Sequence, residues 1–249
     1  MIIISAGMMK SASTIICDYQ IEMMKFTAKR NGQSVLEKFS SGRGRAYRGQ
    51  LDFKTFLILL YVNFVHGDIV LKSHAGPTFF VKLLVNLGLA KVSYSYRDPR
   101  DAVLSIIDHG ARTRKKIIEK GESLEGTRGF RHIHNVEDAL PEIKKELPKV
   151  CAWKKFDGVQ LIKYEDFIGN KRDYLTKIAE YLGYNLRQQD LDTIYQKYEV
   201  SKPENLNKGT KDRYLNEMEA EEIKLCNQAF YDELKEIEYS VSEIISNIK

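Results

Sequence analysis

The sequence predicts an α/β fold built on a parallel sheet, and three observations carry that expectation. Four short β-rich runs alternate with longer helical stretches. Each run has the length of a buried strand and is bounded by Gly, Asp or Lys. The first run passes directly into a turn of small residues that opens a helix. The strands are expected over residues 2–5, 68–72, 92–96 and 159–163. Helices are expected over 11–28, 51–65, 78–87, 100–119, 136–155 and 172–182. Strands separated by helices imply right-handed crossovers and a three-layer α/β/α arrangement around the sheet. After Gly183 the chain reads as mainly helical, most clearly over 217–234.

The 249 residues are 43% hydrophobic and 29% charged, which excludes a disordered chain, and Gly 16 with Pro 5 excludes a linker-rich one. No repeat or linker divides the chain, so one domain over 1–249 is expected, with 40–49 and 119–130 as its most mobile segments. Cys17, Cys151 and Cys226 are an odd number at unrelated spacings, fitting neither a disulfide framework nor a zinc site; a reducing, cytoplasmic setting is expected. The start, MIIISAGMMK, lacks the basic region of a targeting signal, and the longest apolar run, 56–65, is about half a bilayer span; a soluble protein without a membrane partner is expected.

The net charge of +5 is unevenly placed. Residues 1–134 hold 21 Lys and Arg against 11 Asp and Glu, whereas the remainder is net acidic. This reads either as an anionic partner for the first half or as solvated surface charge.

Chemistry concentrates in three places. The first strand runs into GMMKSAST (residues 7–14), where unpaired amides and the positive end of a helix dipole suit a phosphate. Lys10 adds a point charge, and Ser11, Ser13 and Thr14 add hydroxyl donors. The ATP/GTP phosphate loop needs Gly-Lys-Ser/Thr at its end, and here Ala12, Ser13 and Thr14 occupy those positions, which disfavours an ordinary ATPase. The second strand ends in Lys72, Ser73 and His74, and open α/β folds bind ligands at the carboxyl ends of their strands. His74 reads as a general base or as a residue that merely caps the strand. The third strand ends at Tyr96, so that Arg97 offers a phosphate-binding fork and Ser105 lies two turns into the next helix; an Arg–Asp surface network is the alternative.

Together these segments resemble the sulfotransferases that use 3′-phosphoadenosine 5′-phosphosulfate (PAPS). Lys10-Ser11-Ala12-Ser13-Thr14 is similar to that family's 5′-phosphosulfate loop, Lys-Ser-Gly-Thr-Thr. Arg97 and Ser105 have the spacing of its 3′-phosphate motif, and LKSHAGP is similar to the strand ending in its catalytic His, with Lys72 as a second lysine near the transferred group. YEDFIGNKRDYLTKIAEYLG, beginning at Tyr164, resembles its Tyr-Glu-Asp segment. NKGTKDRYLNEM, with Lys208 and Gly209, resembles its C-terminal Lys-Gly loop over the nucleotide. The order matches over roughly residues 1–235. Departures are Ala12 for the loop glycine, Ile15 for a tryptophan that stacks on adenine, and Asn207, Asp212 and Tyr214 in the C-terminal loop.

The resemblance implies a P-loop-like sulfotransferase fold in which His74 deprotonates an acceptor hydroxyl or amine, Lys10 stabilises the leaving 5′-phosphate and Lys72 assists. It implies PAPS as co-substrate, adenosine 3′,5′-bisphosphate (PAP) as product and no metal. Lys10, Ser11, Ala12, Ser13, Thr14, Arg97, Ser105, Tyr164, Lys208 and Gly209 would then hold the nucleotide. Arg43, Arg45, Arg48, Arg112, Arg114, Lys115, Lys116, Arg128 and Arg131 lie in segments expected to roof the pocket; they suit an anionic small-molecule or carbohydrate acceptor, or are simply solvated. A P-loop small-molecule kinase and a non-catalytic polyanion or nucleic-acid binder are the rival readings, although no nucleic-acid partner is expected. The apolar stripe of EEIKLCNQAFYDELKEI would serve the core or a homodimer.

Overall fold

Isoleucines at 2, 3 and 4 make the first strand apolar on both faces, the pattern of a strand buried in the middle of a parallel sheet. The computed structural model describes residues 1–40, 45–123, 125–200 and 209–240, with the backbone alone for 199 and 200. The strands β1 (Ile2–Gly7), β2 (Tyr47–Arg48), β3 (Ile69–Ser73), β4 (Ala90–Tyr96) and β5 (Val159–Lys163) form one sheet in the order β2-β3-β1-β4-β5. All pairings are parallel, with Ile2 beside both Ile69 and Ala90, and Gly7 beside Ser95.

Alternate β1 side chains feed two cores. Ile2, Ile4 and Ala6 join the core that includes Leu59 and Val62 of α3 (Phe53–His66) and Leu84 of α4 (Phe79–Asn86), whereas Ile3 joins Ile16 and Met23 of α1 (Ser13–Thr27). The fold is thus three layers, α/β/α, as the sequence implies. The short α2 (Gln33–Lys38) precedes β2, and α5 (Pro99–Glu119) follows β4 with Asp98 as its cap and Pro99 in its first turn.

Two expected helices are broken. Residues 136–155 divide into α6 (Val136–Lys144) and α7 (Leu147–Lys154), because Pro148 has no N–H to continue the ladder. After β5 come α8 (Tyr164–Gly169), α9 (Lys171–Leu182) and α10 (Gln188–Val200). The stretch 217–234 becomes the end of α11 (Tyr214–Glu217), then α12 (Ala220–Ala229) and α13 (Tyr231–Glu236). A capping box of Glu219 and Glu222 starts α12 afresh.

Some contacts join the described parts of 40–49, and the surroundings of 119–130, to the rest of the protein. Tyr47 and Arg48 pair with Lys72 and Ser73 of β3. Arg114 donates to the carbonyls of Arg131 and Ile133, and Arg131 donates to that of Gly126. The three cysteines are buried and unbridged. Among the described residues no helix is long and apolar enough to cross a membrane.

Candidate active site

The chain leaves β1, builds β2 and β3 on one side of it, and then crosses to build β4 and β5 on the other. That reversal opens a crevice at the carboxyl end of β1, the position where open α/β sheets bind ligands. GMMKSAST turns over this end. Gly7 has no room for a side chain, since a Cβ there would meet Ser95 Oγ at 2.2 Å and Ser13 Cβ at 2.8 Å. The Met8 amide bonds Ser95 O at 2.8 Å, and the Met9 amide bonds Glu146 Oε2 at 3.3 Å. Lys10 and Ala12 both have left-handed backbones, with φ of 67° and 64°. Such alternation turns successive N–H groups toward one side, a concave anion cradle. Ala12 therefore sits in a left-handed conformation that favours glycine, at a cost of roughly 1 kcal/mol. Beyond it, Ser13 and Thr14 stand in the first turn of α1, where amides have no intrahelical acceptor.

The hydroxyls of this turn behave differently from expectation. Ser11 Oγ is buried and faces inward, 2.7 Å from Met8 O, 3.0 Å from Ser95 O and 2.7 Å from Ser95 Oγ; it locks the turn to β4 instead of offering a donor to a ligand. Thr14 Oγ1 accepts from Lys72 Nζ at 2.5 Å, joining the turn to β3, and Ser13 is buried at the start of α1.

Lys10 is pushed down to about 8 by burial and by Arg112, Arg97 and Lys72, against the opposing pull of Asp108. Lys72 is lowered too, chiefly by burial. Cations gathered around an amide cradle, where burial and mutual repulsion depress two lysines, fit a polyanionic ligand. The Lys10 ammonium lies 3.0 Å from Nδ1 of His109, a residue of α5 that sequence reasoning missed.

His74 follows β3 and packs beside Tyr47, with ring centroids 5.9 Å apart. Its Nδ1 is 2.5 Å from the carbonyl oxygen of Gly7. A carbonyl can only accept, so Nδ1 carries the proton and Nε2 is the basic nitrogen. Burial pushes the imidazole down to about 4, with Lys72 and Lys149 adding repulsion against the Gly7 bond, so the ring is neutral at physiological pH.

Arg97 emerges from β4 fully buried. It donates to Asp101 Oδ2 at 3.0 Å and to the Thr210 carbonyl at 2.9 Å, and its guanidinium lies 4.0 Å over the Tyr164 ring. Its Nε is buried without a partner, a donor in place for an absent acceptor. The surface Arg–Asp network that was the alternative is instead an interior one: Arg97, Asp98, Arg100 and Asp101 are all buried. Ser105 lies one turn beyond Asp101, also buried. Tyr164 serves as the platform under Arg97, while Glu165 accepts from the Asp98 amide at 3.0 Å and from Tyr239 Oη at 2.6 Å, fixing the start of α5.

Gly209 has φ of 69° and leads into a segment clasped to α5. Tyr214 N bonds Asp101 Oδ1 at 3.0 Å, and Arg213 bonds Asp108 Oδ2 at 2.7 Å. Lys208 and Arg43 lie outside the described residues. Of the basic roof, Arg45 donates to both carboxylate oxygens of Asp18 through its Nε and Nη2, and Arg114 and Arg131 hold backbone carbonyls. Arg112 and Lys116 act electrostatically on the Lys10–His109 pair. Among the described residues no group of three or more His, Cys, Asp or Glu could hold a metal.

A sulfotransferase domain family matches residues 65–234, and the chain belongs to that family. Among solved structures, the mouse sulfotransferase SULT7A1 complexed with PAP superposes with a TM-score of 0.61 at 14% identity, over 96% of this chain and 89% of that one. Retinol dehydratase in a complex with retinol and PAP gives 0.55 at 16% identity, over 94% and 81%. At these identities the likeness is one of fold. No curated protein matches the chain by sequence.

Proposed function

We propose that this protein is a PAPS-dependent sulfotransferase that moves a sulfuryl group to an acceptor hydroxyl or amine. The observation that carries the reading is the convergence, at the carboxyl ends of β1, β3 and β4, of Lys10, Lys72 and Arg97 with a neutral His74 whose Nε2 is the basic nitrogen. Sulfuryl transfer is an in-line displacement resembling phosphoryl transfer, in which catalysis is mostly positioning and charge stabilisation. His74 Nε2 removes the acceptor proton as the acceptor's heavy atom forms its bond to sulfur. The sulfur–oxygen bond to the 5′-phosphate breaks, and Lys10 meets the charge left on that phosphate. Lys72 steadies the sulfuryl oxygens, and Arg97 with Ser105 takes the 3′-phosphate. The turn 10–14 supplies amides to the phosphosulfate, and Lys208 and Gly209 complete the nucleotide site.

With these cations fixed in place, no metal is required by the mechanism. The buried thiols fit a cytoplasmic protein of one domain. The acceptor is a small molecule or carbohydrate; Arg45, Arg114 and Arg131 are engaged within the protein and so carry no argument for an anionic one.

Calorimetric titration with PAP in EDTA, beside AMP and Mg·ATP, tests the donor site. Tight binding that needs the 3′-phosphate is expected. Preference for Mg·ATP would make the protein a kinase, and binding of neither would end the sulfotransferase reading.

The pH dependence follows from two protonation states. His74 accepts a proton only when neutral, and Lys10 offsets departing charge only when protonated. In the free enzyme kcat/KM should therefore rise through pH about 4, stay flat, and fall through about 8. An acid limb that persists unchanged in His74→Ala would remove His74 as the base.

A further inference from the structure

We propose that His109 is a positioning residue for Lys10, accepting a hydrogen bond from its ammonium through Nδ1 and so aiming the remaining ammonium protons at the transferring group. The inference rests on the sulfuryl-transfer reading and extends it to a residue outside the nucleotide-binding motifs.

The geometry argues for it from both partners. Lysine carries a flexible stem and three donors, and a buried ammonium beside other cations needs an acceptor to stay inside the protein. Lys10 has Arg112, Arg97 and Lys72 around it, and the acceptor within reach is His109 Nδ1 at 3.0 Å. Asp108, the neighbouring carboxylate on α5, is engaged by Arg213. His109 can accept only while neutral, and burial together with Lys10, Arg112 and Lys116 keeps it so, down to about 4.

The imidazole is itself held. The Phe130 ring meets it edge-on, with centroids 5.6 Å apart. Next to it, Gly110 lets the 130–133 segment lie directly on α5; a Cβ at Gly110 would stand 2.3 Å from Phe130 O and 2.9 Å from Ile133 O. The neutral ring also has a chemical advantage over a carboxylate at the same place. A carboxylate would pair with the ammonium and compete against the donor's phosphate, whereas imidazole directs Lys10 and leaves its full charge for the leaving group.

A double-variant cycle decides the matter. His109→Ala should lower kcat about 10- to 100-fold through misplacement of the lysine, with PAP affinity within about twofold of wild type. His109→Asn, which returns an uncharged acceptor, should recover most of the loss. In a Lys10→Ala background, removing His109 should add no further loss. Multiplying losses in the double variant, an Asn variant as slow as the Ala variant, or PAP affinity falling in step with kcat would each overturn the proposal. Long-range proton–nitrogen spectra of the ligand-free protein read the contact without turnover: His109 Nδ1 should be unprotonated and should shift on Lys10→Ala. An unmoved signal would overturn the pairing. A wild type that neither binds PAP nor transfers sulfuryl would instead bring down the functional reading, and the spectra would still decide the pairing.

Discussion

His74→Ala is expected to lower kcat by roughly 10²-fold or more while PAP affinity stays close to wild type, because a positioned general base contributes about that much and its ring is assigned to the acceptor rather than the nucleotide. The Nδ1 bond to Gly7 O gives the argument its direction: one nitrogen is committed as donor, and the other is left to act as base. His74→Asn refines the test, since an amide can still donate to Gly7 O but has no basic nitrogen. Equal losses in the Ala and Asn variants identify the base itself, whereas turnover preserved in Asn would reduce His74 to a brace for the phosphate turn. The readout is steady-state kinetics on a sulfuryl acceptor beside calorimetry with PAP.

Arg97→Ala should act on the donor instead, weakening PAP by on the order of 10²-fold or more, as loss of a buried charge-assisted fork contact does. AMP supplies the internal control. Lacking the 3′-phosphate, it should bind wild type and variant alike, so the preference for PAP over AMP should collapse. Arg97 also pairs with Asp101 and sits on Tyr164, so its removal takes from a buried carboxylate one of its two partners among the described residues, the other being the Tyr214 amide. Arg97→Lys keeps the charge and loses the fork, and should fall between wild type and Ala. If PAP and AMP weaken together in both variants, Arg97 is structural and the 3′-phosphate lies elsewhere.

Much of this architecture is legible in the residues because the physics is local. The apolar run at Ile2–Ile4, the alternation of strands with helices, and Pro99 opening α5 each follow from neighbours in sequence. What escaped depends on long-range placement. Tyr47 and Arg48 form a strand only because the β3 edge is there to pair with. Ser11 looks like a phosphate donor until Ser95 arrives beside it from β4. His109 carries no motif of its own. A helical-face reading of α5 would still have found it, since Asp101, Ser105, His109 and Arg112 recur three or four residues apart on a helix whose first turn follows Arg97. Helix boundaries failed where a single residue rules: Pro148 and the Glu219–Glu222 box restart helices that periodicity alone would run together.

The clasp of residues 210–214 on α5 bears on how the protein comes into being. β1, β3 and β4 are complete once Tyr96 has been made, but the carbonyl that steadies Arg97 belongs to Thr210, 113 positions downstream. Since chains gain structure from the N-terminus as they emerge from the ribosome, the sheet and its cationic crevice can exist before the bracket that holds Arg97 has been synthesised. On the proposed reading, competence to hold the nucleotide would thus be a late event in the life of the chain, conferred when this segment fastens onto a helix already in place.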